Sequence, residues 1–205
     1  MDSESKGQIT VVVQQQLQML AKNVDNVRCA IANPALYRQY FSADIDRWSR
    51  FCVAMDTLED TLLAIEAFVM NGPGDTHQEQ YLRFYGLMQA VYIQEDAISE
   101  LWTIVMESKL EKPDDDSGWM TIRNIRNHSA GHPVDRRTSL VRVNLEAGFV
   151  SMITSVPEGR TSMEYGEKHW GGKLADLLTE YVKEANDRLS AIAARIPIKW
   201  TVKEK

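Results

Sequence analysis

The sequence predicts a mainly α-helical fold: a bundle of about five helices with a small antiparallel β-meander inserted before the C-terminal helix. Three observations predict it. Long stretches place apolar residues three and four positions apart, the spacing of one helix face. Breakers such as Asn33-Pro34 and Asn71-Gly72-Pro73-Gly74 separate those stretches. One region, about 138–166, instead alternates apolar and polar residues in period two.

The first helix is expected from Gln8 to about Ala32, on a ragged face of Val12, Leu17, Leu20, Val24 and Val27, stopped by Asn33-Pro34. The second runs from about Asp44 to Met70 on Trp48, Phe51, Met55, Leu58, Leu62, Ile65 and Val69. The third, about Gln78 to Glu107, has the cleanest stripe: Leu87, Val91, Ile98, Leu101 and Val105, with Gln94 completing it. A buried amide at Gln94 must find partners, because an unpaired buried polar group costs about 1–3 kcal/mol. Bridging two helices is the plain structural use for it.

Lys112 to Gly118 reads as a loop, and a short fourth helix starts near Trp119 with Ile122 and Ile125 inward. Gly131 and Pro133 mark its end. Leu140 to Leu145 and Phe149 to Ile153 alternate as strands around a turn at Glu146-Ala147-Gly148. A third short strand is expected at Ser162 to Tyr165, after the turn Pro157-Glu158-Gly159. The last helix, Leu174 to Ile196, uses Leu174, Leu177, Leu178, Tyr181, Ala185, Leu189 and Ile192 and is ended by Pro197. No linker separates two cores, so residues 1–205 are expected to form one domain.

The N-terminus is acidic and polar, unlike a signal peptide, and no apolar run nears the roughly 18 residues that span a bilayer. A soluble, cytoplasmic protein with no membrane partner is the expectation. Cys29 and Cys52 are too few for a disulfide scaffold and are expected to be two buried thiols. A net charge of -6 excludes a nucleic-acid coat driven by bulk positive charge. Charge is uneven, however. Arg123, Arg126, Arg136, Arg137 and Arg142 are opposed locally only by Asp135, while Glu95-Asp96 and Asp114-Asp115-Asp116 lie elsewhere. Such a patch meets phosphate by placement rather than by bulk field.

The chemistry concentrates in Ile122-Arg123-Asn124-Ile125-Arg126-Asn127-His128-Ser129-Ala130-Gly131-His132-Pro133. On a helix Arg123 lies near Arg126 and Asn127, and Asn124 near His128. His132 does not share that face with Arg126, since six residues turn the helix by about 600°. An end at Gly131 lets the chain fold His132 back. Arg offers a planar, permanently charged fork for phosphate oxygens. His moves a proton near neutral pH, and Asn orients its neighbours. Together they suit attack by a ribose 2′-hydroxyl on its own phosphate, with no metal.

Arg126-Asn127, four residues, then His132-Pro133, on a late helix of a helical bundle, resembles the motif of the HEPN superfamily: Arg, a polar residue, then His, with four to six residues between Arg and His. Arg123-Asn124 to His128 fits the same spacing, but a His just past the helix end and before Pro matches the motif better. The resemblance is sharp over about twelve residues and loose over the helix order. It implies a metal-independent endoribonuclease without cofactor, acting as a homodimer whose motifs meet across a symmetric interface. It further implies RNA as substrate, and an antitoxin or regulatory protein as partner in toxin, defence or RNA-processing roles. Carried over, Arg126 holds or polarises the phosphate, His132 is the acid–base residue, and Asn127 positions them. Arg123, Asn124 and His128 are then neighbouring binding residues. The family often adds a polar residue from an earlier helix, for which Gln94, Glu95 and Asp96 are candidates. The β-insertion departs from the smallest members.

Other readings of the same residues stand beside this one. His128 and His132 are spaced to bind zinc on one helical face, but no Glu of the metalloprotease pattern accompanies them and Gly131 and Pro133 break the helix, so no metal site is expected. A non-catalytic module would bind RNA, a nucleotide or a protein through the same arginines. Tyr85, Tyr92 and Trp102 suit a core or a dimer interface better than base stacking. In a purely structural role, Arg123 and Arg126 pair with Glu95 or with Asp114 to Asp116.

Overall fold

Apolar residues at steps of three and four give α1, Ser3–Ile31, a buried stripe of Val13, Leu17, Leu20, Val24, Val27 and Ile31. The structure, a computed structural model, describes residues 3–131, 134–135, 139–146, 149–157 and 165–201, and the side chains of 11–127, 129–130 and 174–201. The stripe turns Val13 inward and leaves Val12 exposed, the reverse of the sequence expectation; the step from 13 to 17 is helical and that from 12 to 17 is not.

Asn33-Pro34 does more than stop α1. The Asn33 side chain accepts from the Ala35 N–H at 2.9 Å, and Pro34 opens an unforeseen helix, α2, Pro34–Tyr40. The helix α3, Ile45–Asn71, is capped by Asp44 and closed by Gly72 at φ 68°, a conformation that favours glycine. A capping box of Thr76 and Glu79 starts α4, His77–Met106, and left-handed Glu107 (φ 58°) follows its end. Ser117 caps α5, Gly118–Arg126. A π-turn, Asn127–Gly131, continues it. The final helix α6, Leu174–Lys199, runs through Pro197 rather than stopping there.

The chain packs α1 on α6 and α3 on α4, with α1 also on α3 and α4 also on α6. These four long helices enclose one core. Gly118 decides how α5 joins them. A Cβ there would lie 2.6 Å from Glu180 Cβ and 2.9 Å from its backbone carbonyl carbon, so only glycine lets α5 abut α6. Trp119 and Tyr181 then meet in the core, ring centroids 5.5 Å apart.

The expected fold class holds in its helical part and is corrected in its β part. Every residue whose side chain is described lies in a helix or in a loop beside one, none in a strand, and the described core is built from helices and the turns next to them. The small meander expected over about 138–166 is corrected in its bounds and its number of strands. Among the described residues the backbone of 134–173 instead forms four antiparallel strands in chain order: β1 Val134–Asp135, β2 Ser139–Glu146, β3 Phe149–Pro157 and β4 Tyr165–Lys173. The last strand was silent in the sequence because Tyr-Gly-Glu-Lys-His-Trp-Gly-Gly-Lys has no alternating apolar pattern, yet its backbone pairs with β3 from Phe149 opposite Lys173 to Pro157 opposite Tyr165. The expected strand at Ser162 to Tyr165 falls outside the described residues except for Tyr165, which opens β4. The turn residues Ala147-Gly148 and Glu158-Gly159, and Arg136 and Arg137, also lie outside them. The thiols are not buried as expected: Cys29 is exposed and Cys52 half-buried.

Candidate functional site

One face of α5 carries Trp119 and Arg123, four residues apart, against α4. Arg123 Nε and Nη2 each lie 2.7 Å from the same atom, Glu95 Oε2. Glu95 is only 1 % exposed while Arg123 is 34 % exposed, so the carboxylate is inside and the guanidinium spans from core to surface. Glu95 Oε1 has no hydrogen-bond partner, and neither has the Trp119 indole Nε1. The indole N–H is close enough to favour the charged carboxylate without reaching full hydrogen-bond geometry.

Burial dominates the electrostatics of this pair and pushes the Glu95 carboxyl up to about 7. The charge of Arg123 and its hydrogen bond pull down, Trp119 less so, and exposed Asp96 pushes up. From α6, Tyr181 faces the same carboxyl. Its phenol is raised well above the usual value, by burial first and by the Glu95 charge second.

Arg126 is held differently. Its guanidinium carbon lies 3.8 Å from the centroid of the Tyr92 ring, and its Nη1 donates to Asn127 Oδ1 at 3.0 Å. Its Nε is buried without a partner. Among the described residues no carboxylate forms an ion pair with Arg126.

The helix widens into the π-turn directly after Arg126. The Asn127 N–H bonds the carbonyls of both Arg123 and Asn124, and Ser129, buried, donates its hydroxyl to the Ile125 carbonyl at 2.6 Å. The α-helix therefore ends at Arg126 and the π-turn carries the chain to Gly131. His128 sits in that turn, so the four-residue helical step expected from Asn124 to His128 is interrupted. The side chain of His128, and all of His132 and Pro133, lie outside what the structure describes.

The expected site residues thus divide. Arg123, Asn124, Arg126 and Asn127 share the C-terminal end of α5, and Asn124 is half-buried there. Gln94 belongs to the core: its Nε2 donates to Thr61 Oγ1 at 3.2 Å, and its Oε1 accepts from the Tyr181 hydroxyl at 2.9 Å. Asp96 is exposed, and among the described residues no ion pair joins it to Arg123 or Arg126. Of the three candidates on α4, Glu95 meets α5. Two partners were missed, Tyr92 beneath Arg126 and Trp119 beside Glu95. The second had a signal, the four-residue spacing of Trp119 and Arg123 on α5. Among the other aromatics read as core or interface, Tyr85 is exposed beside Tyr81 and Phe84, and Trp102 is half-buried with its Nε1 unpartnered. Asp115 pairs with Lys112 at 2.7 Å rather than with the arginines.

Among the described residues no three His, Cys, Asp or Glu side chains gather as they would around a metal ion. None of the described helices is long and apolar enough to cross a membrane. In comparisons with known proteins, no family model matches the sequence, and no curated protein or solved structure matches it significantly.

Proposed function

We propose that this chain is a HEPN-like, metal-independent endoribonuclease that works in the cytoplasm as a homodimer, with an antitoxin or other regulatory protein as its partner. One observation carries the reading: Arg126 ends α5 without a carboxylate among the described residues, beside a π-turn that leads directly to His132. A guanidinium so placed suits a phosphodiester oxygen. In the reaction the 2′-hydroxyl gives up its proton and attacks the adjacent phosphorus. The bond to the 5′-oxygen breaks, that oxygen takes a proton, and the products are a 2′,3′-cyclic phosphate and a 5′-hydroxyl. His132 moves the proton, Arg126 stabilises charge on the phosphorane oxygens, and Asn127 holds Arg126.

A second reading, an RNA-binding module without cleavage, draws support from Arg123, whose charge is spent on Glu95. Both are tested by incubating the protein, His132→Ala and Arg126→Ala with RNA in excess EDTA. Cleavage to cyclic phosphate ends by the wild type alone supports the nuclease. RNA bound but uncut, with binding lost in Arg126→Ala, supports the module. No binding and no cleavage overturns both.

A further inference from the structure

We propose that Tyr92 is a positioning residue for Arg126: the phenol ring fixes the plane of the guanidinium and thereby aims its free edge at the oxyanion. The inference rests on the Arg126 reading above and deepens it. Four observations carry it. The guanidinium carbon stands 3.8 Å from the Tyr92 ring centroid, inside the range for cation–π contact. Asn127 Oδ1 takes Nη1 at 3.0 Å, fixing rotation within the plane. Arg126 Nε is buried and bonded to nothing, so it does not compete for the orientation. Among the described residues no carboxylate neutralises the charge.

Arg123 is the contrast on the same helix. Two of its nitrogens are engaged on one buried oxygen, which anchors α5 to α4 and leaves a neutral pair. At Arg126 an aromatic face replaces the carboxylate. A ring holds a guanidinium flat without cancelling its charge, whereas a carboxylate holds it and cancels it. Among the described residues Nη1 is bonded and Nε is buried away from solvent, so Nη2 is the group offered to a ligand oxygen. Tyr92 sits half-buried on α4, two residues before Gln94 and three before Glu95, so the helix that anchors Arg123 also supplies this platform.

The test uses the full chain in five forms: wild type, Tyr92→Phe, Tyr92→Leu, Arg126→Lys, and Arg126→Lys combined with Tyr92→Leu. The Arg126 Nε–H proton resonance, assigned by its loss in Arg126→Lys, is expected upfield in wild type and Tyr92→Phe from the ring current. In Tyr92→Leu it is expected at the ordinary arginine position. In RNA cleavage Tyr92→Phe stays within about twofold of wild type, while Tyr92→Leu loses about tenfold or more in kcat with little change in KM, as misaimed transition-state contacts do. Adding Tyr92→Leu to Arg126→Lys costs nothing further, because lysine has no plane to orient. An ordinary Nε–H position in wild type, a Tyr92→Leu enzyme as fast as wild type, or full additivity with Arg126→Lys overturns the inference. An upfield resonance in a wild type that cuts no RNA overturns the nuclease reading instead and leaves the stack standing.

Discussion

Glu95 on α4 receives both contacts of Arg123 on α5 through a single oxygen, each at 2.7 Å, and leaves its other oxygen without a partner. The pair is therefore a compromise. Burying a carboxylate costs several kcal/mol, and one partly exposed arginine with two bonds to one oxygen offsets only part of that. What the pair supplies is registration: it fixes α5 against α4 so that Arg126 comes to rest on Tyr92. The geometry of the charged end of α5 is thus set from α4 as well as from its own turn, where Asn127 holds Arg126.

Stability should fall between about pH 5 and pH 8 because of Glu95. Its carboxyl is raised from the ordinary 4.5 to about 7 in the folded state, so the folded protein binds more protons than the unfolded one across that window. The contribution is fully present below the unfolded value and lost as pH rises through about 7. Glu79, Glu107 and Asp115 have lowered values, so their stabilisation is lost only in more acid solution. Urea denaturation of wild type and Glu95→Gln at pH 5.5 and about pH 8 checks this. The wild type should lose on the order of 1–3 kcal/mol relative to the variant as pH rises. A difference that stays constant across the range counts against a neutral buried Glu95.

Gln94 should behave as a core bridge. Tyr181 donates to its Oε1 at 2.9 Å while Thr61 receives its Nε2 at 3.2 Å, joining α3, α4 and α6. Tyr181→Phe leaves a buried amide oxygen unsatisfied and should cost about 1–3 kcal/mol. Gln94→Met in that background should cost much less than it does alone, since the partner is already gone. Additive losses in a double-mutant cycle would show that the two side chains act independently.

At the far end of α4 two cations cap the last turn. Arg47 Nη2 donates to the Ile104 carbonyl at 2.7 Å, and Lys199 Nζ to the Val105 carbonyl at 2.8 Å. Glu107 lies 3.0 Å from Lys199 and 3.3 Å from Arg47. Carbonyls at a helix C-terminus carry partial negative charge, so both cations are favourable there. Lys199→Met should lower stability by about 1–2 kcal/mol and free the end of α6 first. Hydrogen exchange at the amides of Ile196, Ile198 and residue 199 is the readout; unchanged protection there means that Arg47 alone suffices.

The helices and their inward faces were legible because each long helix has a sustained apolar period and the breakers had their ordinary effect, with two exceptions: Pro34 also begins α2, and α6 runs through Pro197. The clustering of arginines and asparagines at the end of α5 was legible for the same local reason. Three things were not. The strand β4 has no apolar alternation, so its pairing is visible only as backbone. The choice among Gln94, Glu95 and Asp96 depends on the rotation of α4, and 100° separates neighbours: the first faces Tyr181, the second Arg123, the third solvent. The Tyr92 contact with Arg126 joins residues of two helices, 34 positions apart in the chain, and no local spacing encodes it.

Anion affinity at the end of α5 should rise as pH falls through about 7, for a reason distinct from histidine titration. Above that value Glu95 is charged and cancels Arg123; below it the carboxyl is neutral and the positive charge of Arg123 is uncompensated. The site then presents two arginine charges instead of one, and binding of a phosphodiester strand should tighten and become more salt-dependent. In Glu95→Gln Arg123 is never cancelled, so its affinity at pH 8 should already resemble that of the wild type at pH 6. Histidines protonate in both proteins, so the difference between the two isolates Glu95. Titrating a short uncleavable 2′-deoxy oligonucleotide into each protein at pH 6, 7 and 8 gives the answer: converging affinities at low pH and a gap opening about severalfold at high pH are expected. Parallel curves would mean that Arg123 contributes to the anion site at every pH or at none, and that its contact with Glu95 is an anchor only.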